Sequence, residues 1–260
     1  MKAKRFGILL LGWLLLFTVG CEDVEDPNPP QKPFIVPKSL PWEYEETGID
    51  ADDKMAGIYL EWTRNPDPEL EGYIIYRAPD TSETGELDFF AIDTVYAYSL
   101  NPALSDTEYV DTEIEFGTLY YYYIRALDVS ENKSEPSDTV RYNLTPSPGD
   151  CEPNLSEKAP VKPEFSWKFP NDFQYSINYY YIRLENITTR QTVWFYGVPR
   201  FDYTGQGQSV TFNTDGKAAE SALSPDHTYR WKVDAIGRQD PAGFEIEGSE
   251  SPWIIFQVKE

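Results

Sequence analysis

The sequence predicts an all-β chain of two consecutive β-sandwiches, and three observations carry that prediction. Aromatic residues are abundant, with 19 Tyr, 14 Phe and 7 Trp in 260 residues, a bias that suits strands because rings pack well on a pleated surface. Apolar residues recur at every second position in several segments, the period of a half-buried strand, and no long run follows the helical period. A tryptophan-bearing strand followed by a tyrosine-bearing strand also occurs twice at nearly equal spacing, the mark of a duplicated architecture.

The first segment belongs to neither sandwich. Lys2, Lys4 and Arg5 precede an apolar run from Phe6 to Val19, which is short for a bilayer span and suited to a signal-peptide core. Thr18-Val19-Gly20-Cys21 then resembles the lipobox of bacterial lipoproteins, with Thr18 where that family more often has leucine. The resemblance implies a signal peptide over residues 1–20 and a diacylglyceryl-modified Cys21 as the mature N-terminus. Two or three acyl chains, at about 0.8 kcal/mol per buried CH₂, would hold the protein stably on a membrane. Read on residues alone, an ordinary signal peptide with a coincidental cysteine would look the same.

Glu22-Asp23-Val24-Glu25-Asp26 comes next. An acidic cluster directly after the cysteine resembles the lipoprotein export signal of Bacteroidota, which implies an outer-membrane, lipid-anchored protein exposed at the cell surface. A solvated linker would carry the same charges. Prolines 27, 29, 30 and 33 extend the segment, so residues 21–32 read as an acidic, proline-rich tether with polyproline II character.

The first unit is expected over 33–146. Ile58, Leu60 and Trp62 share one strand face, Asn65-Pro66-Asp67-Pro68 is a turn signal, and Gly72 to Arg77 resumes as a strand. Gly117-Thr118 leads into 119–126, where Tyr120, Tyr122, Ile124 and Ala126 fall on one face and Tyr121 and Tyr123 on the other. A final strand is expected around Val140 and Tyr142. Residues 145–150 read as a short, stiff linker that leaves Cys151 as a lone thiol beside it.

The second unit is expected over 151–260. Phe165, Trp167 and Phe169 alternate with polar residues, 179–184 forms the next strand, and a long insert separates Arg190 from Ser209. Tyr229, Trp231, Val233 and Ala235 then alternate with polar residues, and Ile254, Phe256 and Val258 close the chain. These residues resemble the fibronectin type III family, a seven-stranded sandwich of immunoglobulin-like layout. Trp62 and Trp167 match its strand-B tryptophan, and Gly117 to Ala126 matches its strand-F tyrosine-corner stretch. Pro225 to Trp231 matches that stretch more loosely. The resemblance implies a core between two sheets.

No catalytic equipment is evident, so the chain is not expected to be an enzyme. Its one histidine, His227, sits in a turn signal, and a triad or histidine metal site would want more. Asp50-Ala51-Asp52-Asp53 lacks the glycine and distal glutamate of a calcium loop. No metal or cofactor is expected. A net charge of −22 argues against nucleic acid, because the surface repels phosphate. The candidate ligand-contact aromatics are Trp194, Tyr196, Phe201 and Tyr203, since exposed rings stack on sugars or anchor protein partners. A buried strand over 194–196 would explain two of them equally well. The expected function is a non-catalytic surface protein mediating protein interaction, adhesion or assembly, with glycan binding as the alternative.

Overall fold

A computed structural model describes residues 28–80, 85–97, 106–170, 175–200 and 207–259. The signal peptide, Cys21 and the acidic cluster lie outside the described residues, as do Phe201 and Tyr203. The chain is all-β, two sandwiches built from sixteen strands among the described residues.

In the first sandwich the strands are β1 (Phe34–Ile35), β2 (Asp50–Ala51), β3 (Ile58–Thr63), β4 (Leu70–Pro79), β5 (Phe90–Tyr96), β6 (Glu108–Asp111), β7 (Leu119–Asp128) and β8 (Val140–Leu144). β3 pairs with β6 on one edge, while β1 and β2 both pair with β3. β1 meets β3 at Thr63 and Trp62, and β2 meets it at Tyr59 and Ile58. They are therefore two halves of one edge strand, interrupted by a strap over residues 36–49. The facing sheet runs β5-β4-β7-β8.

The second sandwich comprises β9 (Gly149–Glu152), β10 (Glu164–Lys168), β11 (Tyr179–Asn186), β12 (Gln191–Pro199), β13 (Gln208–Thr211), β14 (Thr228–Ile236), β15 (Glu247–Glu250) and β16 (Ile254–Gln257). β13-β10-β9 forms one sheet and β12-β11-β14 the core of the other. β15 and β16 both pair with β14, as two halves of a closing strand broken at Ser251-Pro252-Trp253. Much of the expected insert between Arg190 and Ser209 is the regular strand β12. Cys151 lies within β9 and packs against the second core rather than sitting in a free linker. Burial pushes its thiol up to about 12.

The alternation read from sequence matches the burial. Residues 119–128 of β7 alternate half-buried and buried throughout, and Ile58, Leu60 and Trp62 are all buried. Each core repeats one ring pair. Trp62 meets Tyr73 edge-on with centroids 5.2 Å apart, and Trp167 meets Tyr180 at 5.1 Å. Such offset or edge-on pairs add about 0.5–1.5 kcal/mol beyond the area buried.

Both units also make the tyrosine corner that the resemblance implies. The Tyr120 hydroxyl accepts from the Glu115 N–H at 3.0 Å. The Tyr229 hydroxyl accepts from the Ser224 N–H at 2.8 Å and donates to Glu220 Oε2 at 2.8 Å. The looser sequence match of the second unit therefore hides an equivalent bond.

The two sandwiches are joined edge to edge. β15 pairs in parallel with β8, Glu247 opposite Asn143 and Gly248 opposite Leu144, so one sheet runs β12-β11-β14-β15-β8-β7-β4-β5. Gly248 is required there, since a Cβ would lie 2.5 Å from the Ala235 carbonyl oxygen. The linker is stitched down as well. The Thr145 N–H donates to the Gly248 oxygen at 2.9 Å, and Thr145 Oγ1 donates to Ser249 Oγ at 3.0 Å.

Candidate functional site

The strap is what brings the two units together chemically. Because the edge strand leaves β3 after Ile35 and returns at Asp50, residues 36–49 are free to cross onto the second sandwich. Tyr44 lies edge-on to Phe195, centroids 5.9 Å apart, and donates its hydroxyl to Glu185. Phe195 is itself stacked on Tyr181 at 5.2 Å. The Arg183 guanidinium lies over Phe195 and Tyr44, at 4.7 and 5.5 Å from their ring centres. It donates to the backbone oxygens of Glu43 and Tyr44.

Beside these rings lies a buried ionic cluster. Arg183 pairs with Glu46 at 2.7 Å and with Asp234 at 2.8 Å. Lys232 pairs with Glu250, with Glu46 at 2.8 Å and with Asp234 at 3.7 Å. Further along, Lys38 pairs with Asp50 and, at 3.5 Å, with Glu245, and the Tyr142 hydroxyl donates to Glu245 Oε1 at 2.7 Å. Glu247 accepts from Asn143 Nδ2 at 2.8 Å and from Arg238 Nε at 2.6 Å.

Acids outnumber bases in this cluster, and burial shifts them accordingly. Burial and the Asp234 carboxylate push Glu46 up to about 7, against the pull of Lys232 and Arg183. Burial pushes Glu245 up to about 8, with Lys38 opposing it. Glu250 is driven well above the ordinary range by burial, Glu46 and Asp234. Burial works against the ammonium groups of Lys38 and Lys232. Their carboxylate neighbours outweigh it and hold both above the usual lysine value.

Oxygens of Glu46, Asp234 and Glu250 lie within 4.8 Å of one another, close enough to hold a metal ion. The position between them is already served by the Lys232 ammonium, which pairs with all three. These carboxylates act as its counter-ions. Asp50 faces Lys38 in the interior, whereas Asp52 Oδ1 accepts from the Lys54 and Met55 N–H groups in a turn. Asp50 and Asp52 thus serve separate local roles. His227 Nδ1 lies 2.9 Å from Asn186 Nδ2 and its ring sits against Tyr229, a structural position beside the tyrosine corner.

Between the two sandwiches is a cleft of about 560 Å³. Its apolar wall comprises Leu87, Phe89, Tyr121, Val140, Phe244 and Ile246. The outward Tyr121 comes from β7, and Phe244 and Ile246 come from the β14–β15 hairpin. Lys38, Thr139, Arg141, Asp240 and Glu245 supply the polar groups. Next to the cleft, Phe89 packs on Tyr123 at 4.8 Å, and Tyr123 stacks on Tyr76 at 4.7 Å.

Of the aromatics singled out from sequence, the two among the described residues, Trp194 and Tyr196, are placed elsewhere. Trp194 is 2% exposed in the second core, stacked on Tyr196 at 5.0 Å and packed on Phe165 and Phe212. Its Nε1–H donates to Asp215 at 2.9 Å. Expected as a candidate ligand contact, Trp194 instead has its ring faces taken by core neighbours. Tyr196 is partly buried against the same cluster. The alternation of β12 turns Phe195 outward, under the strap. Tyr121 had a sequence signal, its outward position on the aromatic strand. Arg141 and Phe244 had none, since only the junction brings them together.

No family model matches the chain, and no curated protein matches it. Among solved structures, a Fn3-like protein from Clostridium thermocellum aligns at 20% identity and a TM-score of 0.29. That alignment covers 44% of this chain and 92% of the other. The FN1-FN3 domains of chicken CNTN1 align at 16% identity and a TM-score of 0.31, covering 90% and 68%. The chicken interferon gamma receptor alpha chain aligns at 13% and 0.32, covering 86% and 98%. None of these likenesses informs what this chain binds.

Proposed function

We propose that the chain is a non-catalytic, lipid-anchored protein of the outer-membrane surface whose fused sandwiches bind a protein partner in adhesion or assembly. The observation that supports this reading is the continuous sheet through both sandwiches. It makes two small modules present one fixed surface, as a recognition scaffold requires, and fixed surfaces bind with less ordering cost. The lipobox-like stretch ending at Cys21 supports the anchor, and the acidic residues after it support export to the outer leaflet. Among the described residues no helix is long and apolar enough to cross a membrane. The displaced carboxyls and lysines, Glu46, Glu245, Glu250, Lys38 and Lys232, pair with one another around the junction and so account for themselves structurally.

Growth with radiolabelled palmitate should label the wild-type protein and leave Cys21→Ser unlabelled. Protease added to intact cells should degrade the wild-type domains. Neutralising Glu22, Asp23, Glu25 and Asp26 together should leave the protein lipidated but shielded. Cross-linking in native membranes should trap a recurrent protein partner. Label persisting in Cys21→Ser would overturn the anchor, equal protease sensitivity of the neutralised variant the export signal, and the absence of any cross-linked partner the interaction role.

A further inference from the structure

We infer that the cleft between the two sandwiches is a binding site for a small apolar carboxylate, with Arg141 as the group that recognises the anion. At about 560 Å³ it falls within the roughly 300–1,000 Å³ typical of small-molecule sites. Three rings, Phe89, Tyr121 and Phe244, together with aliphatic side chains, form most of its wall.

The class of ligand follows from which polar groups are already engaged. Lys38 is committed to Asp50 and Glu245. Glu245 also accepts from Tyr142. Asp240 Oδ1 accepts from the Ala242 and Phe244 N–H groups of its own hairpin. Arg141 is half-buried and its guanidinium, among the described residues, makes no hydrogen bond or ion pair, although acids abound in a chain of net charge −22.

The cleft therefore offers one free, planar cationic fork set in an apolar wall. That fork matches a carboxylate with two parallel hydrogen bonds. A neutral sugar needs several free donors and acceptors, and the cleft has few. A cation would find Asp240, whose Oδ1 is already held by two backbone N–H groups, and would meet the free Arg141 guanidinium beside it. A polyanion would meet Asp240 and Glu245. A single anionic head is better tolerated, because the Glu245 carboxyl is already engaged by Lys38 and by the Tyr142 hydroxyl.

The test uses the unlipidated chain from residue 22 onward, titrated calorimetrically with 4-phenylbutyrate and with its uncharged counterpart 4-phenylbutanol. Phenylbutyrate is expected to bind saturably at one site. Arg141→Gln should weaken it at least tenfold while leaving phenylbutanol unchanged, and Phe244→Ala should weaken both. Matched thermal melts will show that the variants are folded. Should Arg141→Gln not fold, amide shifts of the wild-type chain decide the matter: phenylbutyrate should perturb Tyr121, Arg141 and Phe244, and phenylbutanol should leave Arg141 unmoved. No saturable phenylbutyrate binding, equal affinity for the two compounds, or an Arg141→Gln variant that binds as wild type does would each overturn the site. The anchored-surface reading rests on Cys21 and would stand or fall separately.

Discussion

Each sandwich closes around rings and aliphatic chains, Trp62 against Tyr73 in the first and Trp167 against Tyr180 in the second. The surface where the sandwiches meet closes instead around Lys38, Arg183, Lys232 and their carboxylates. Apolar burial is non-directional and scales with area, so the cores supply stability without dictating how one unit sits on the other. Charge-assisted hydrogen bonds are directional, and a buried charge without its partner is costly. The junction is thus the part that selects one mutual arrangement, and the cleft beside it exists only in that arrangement.

The largest expected effect tests the core side of the comparison. Trp62→Ala should cost about 3–5 kcal/mol, because a large fully buried ring leaves a cavity that packing only partly closes. Urea denaturation of the full chain measures it, and a loss below that of Tyr120→Phe would contradict the core position of Trp62. Next comes Lys232→Met, at about 3 kcal/mol, the low end for breaking a buried pair. Arg183 still faces Glu46 and Asp234 in that variant, but Glu250 loses its cation. A variant as stable as wild type would mean that the cluster does not hold the junction.

The smallest effects compare the two tyrosine corners. Tyr229→Phe removes a hydroxyl with two partners and should cost about 2 kcal/mol, whereas Tyr120→Phe removes one with a single backbone partner and should cost about 1 kcal/mol. Denaturation midpoints in the reverse order would show that the Glu220 contact contributes nothing.

The cores were legible because alternation with period two is a local signal. Trp62, Tyr122, Trp167 and Trp231 all fall on the faces that their neighbours predict. The junction was not legible, for physical reasons that particular residues make plain. β15 reads Glu-Gly-Ser-Glu, a polar run with every residue buried; its burial depends on Asn143, Thr145 and Lys232 arriving from elsewhere in the chain. The strap gives no periodic signal, since its role arises from interrupting an edge strand. Trp194 and Tyr196 were ambiguous on their residues alone, because an aromatic strand looks alike from either face. The arrival of Asp215 and Phe212 from later in the chain decides it.

Scanning calorimetry of the full chain across pH 5 to 9 tests the central claim, that a buried ionic junction makes two sandwiches one cooperative unit. Glu46 and Glu245 rise from 4.5 to about 7 and about 8 in the folded protein, so between those values the folded state holds protons that the unfolded chain releases. Stability contributed by a raised carboxyl is present while the folded group stays protonated. It is lost as pH climbs from the unfolded value to the folded one, with a limiting slope of about 1.4 kcal/mol per pH unit for each proton. Lys38 and Lys232, raised above the lysine value, add no slope until more alkaline pH. A single transition is expected at pH 5–6, falling in temperature and separating into two as pH rises to 9, with Lys232→Met already separated at pH 6. Two transitions at every pH, unmoved by Lys232→Met, would contradict it.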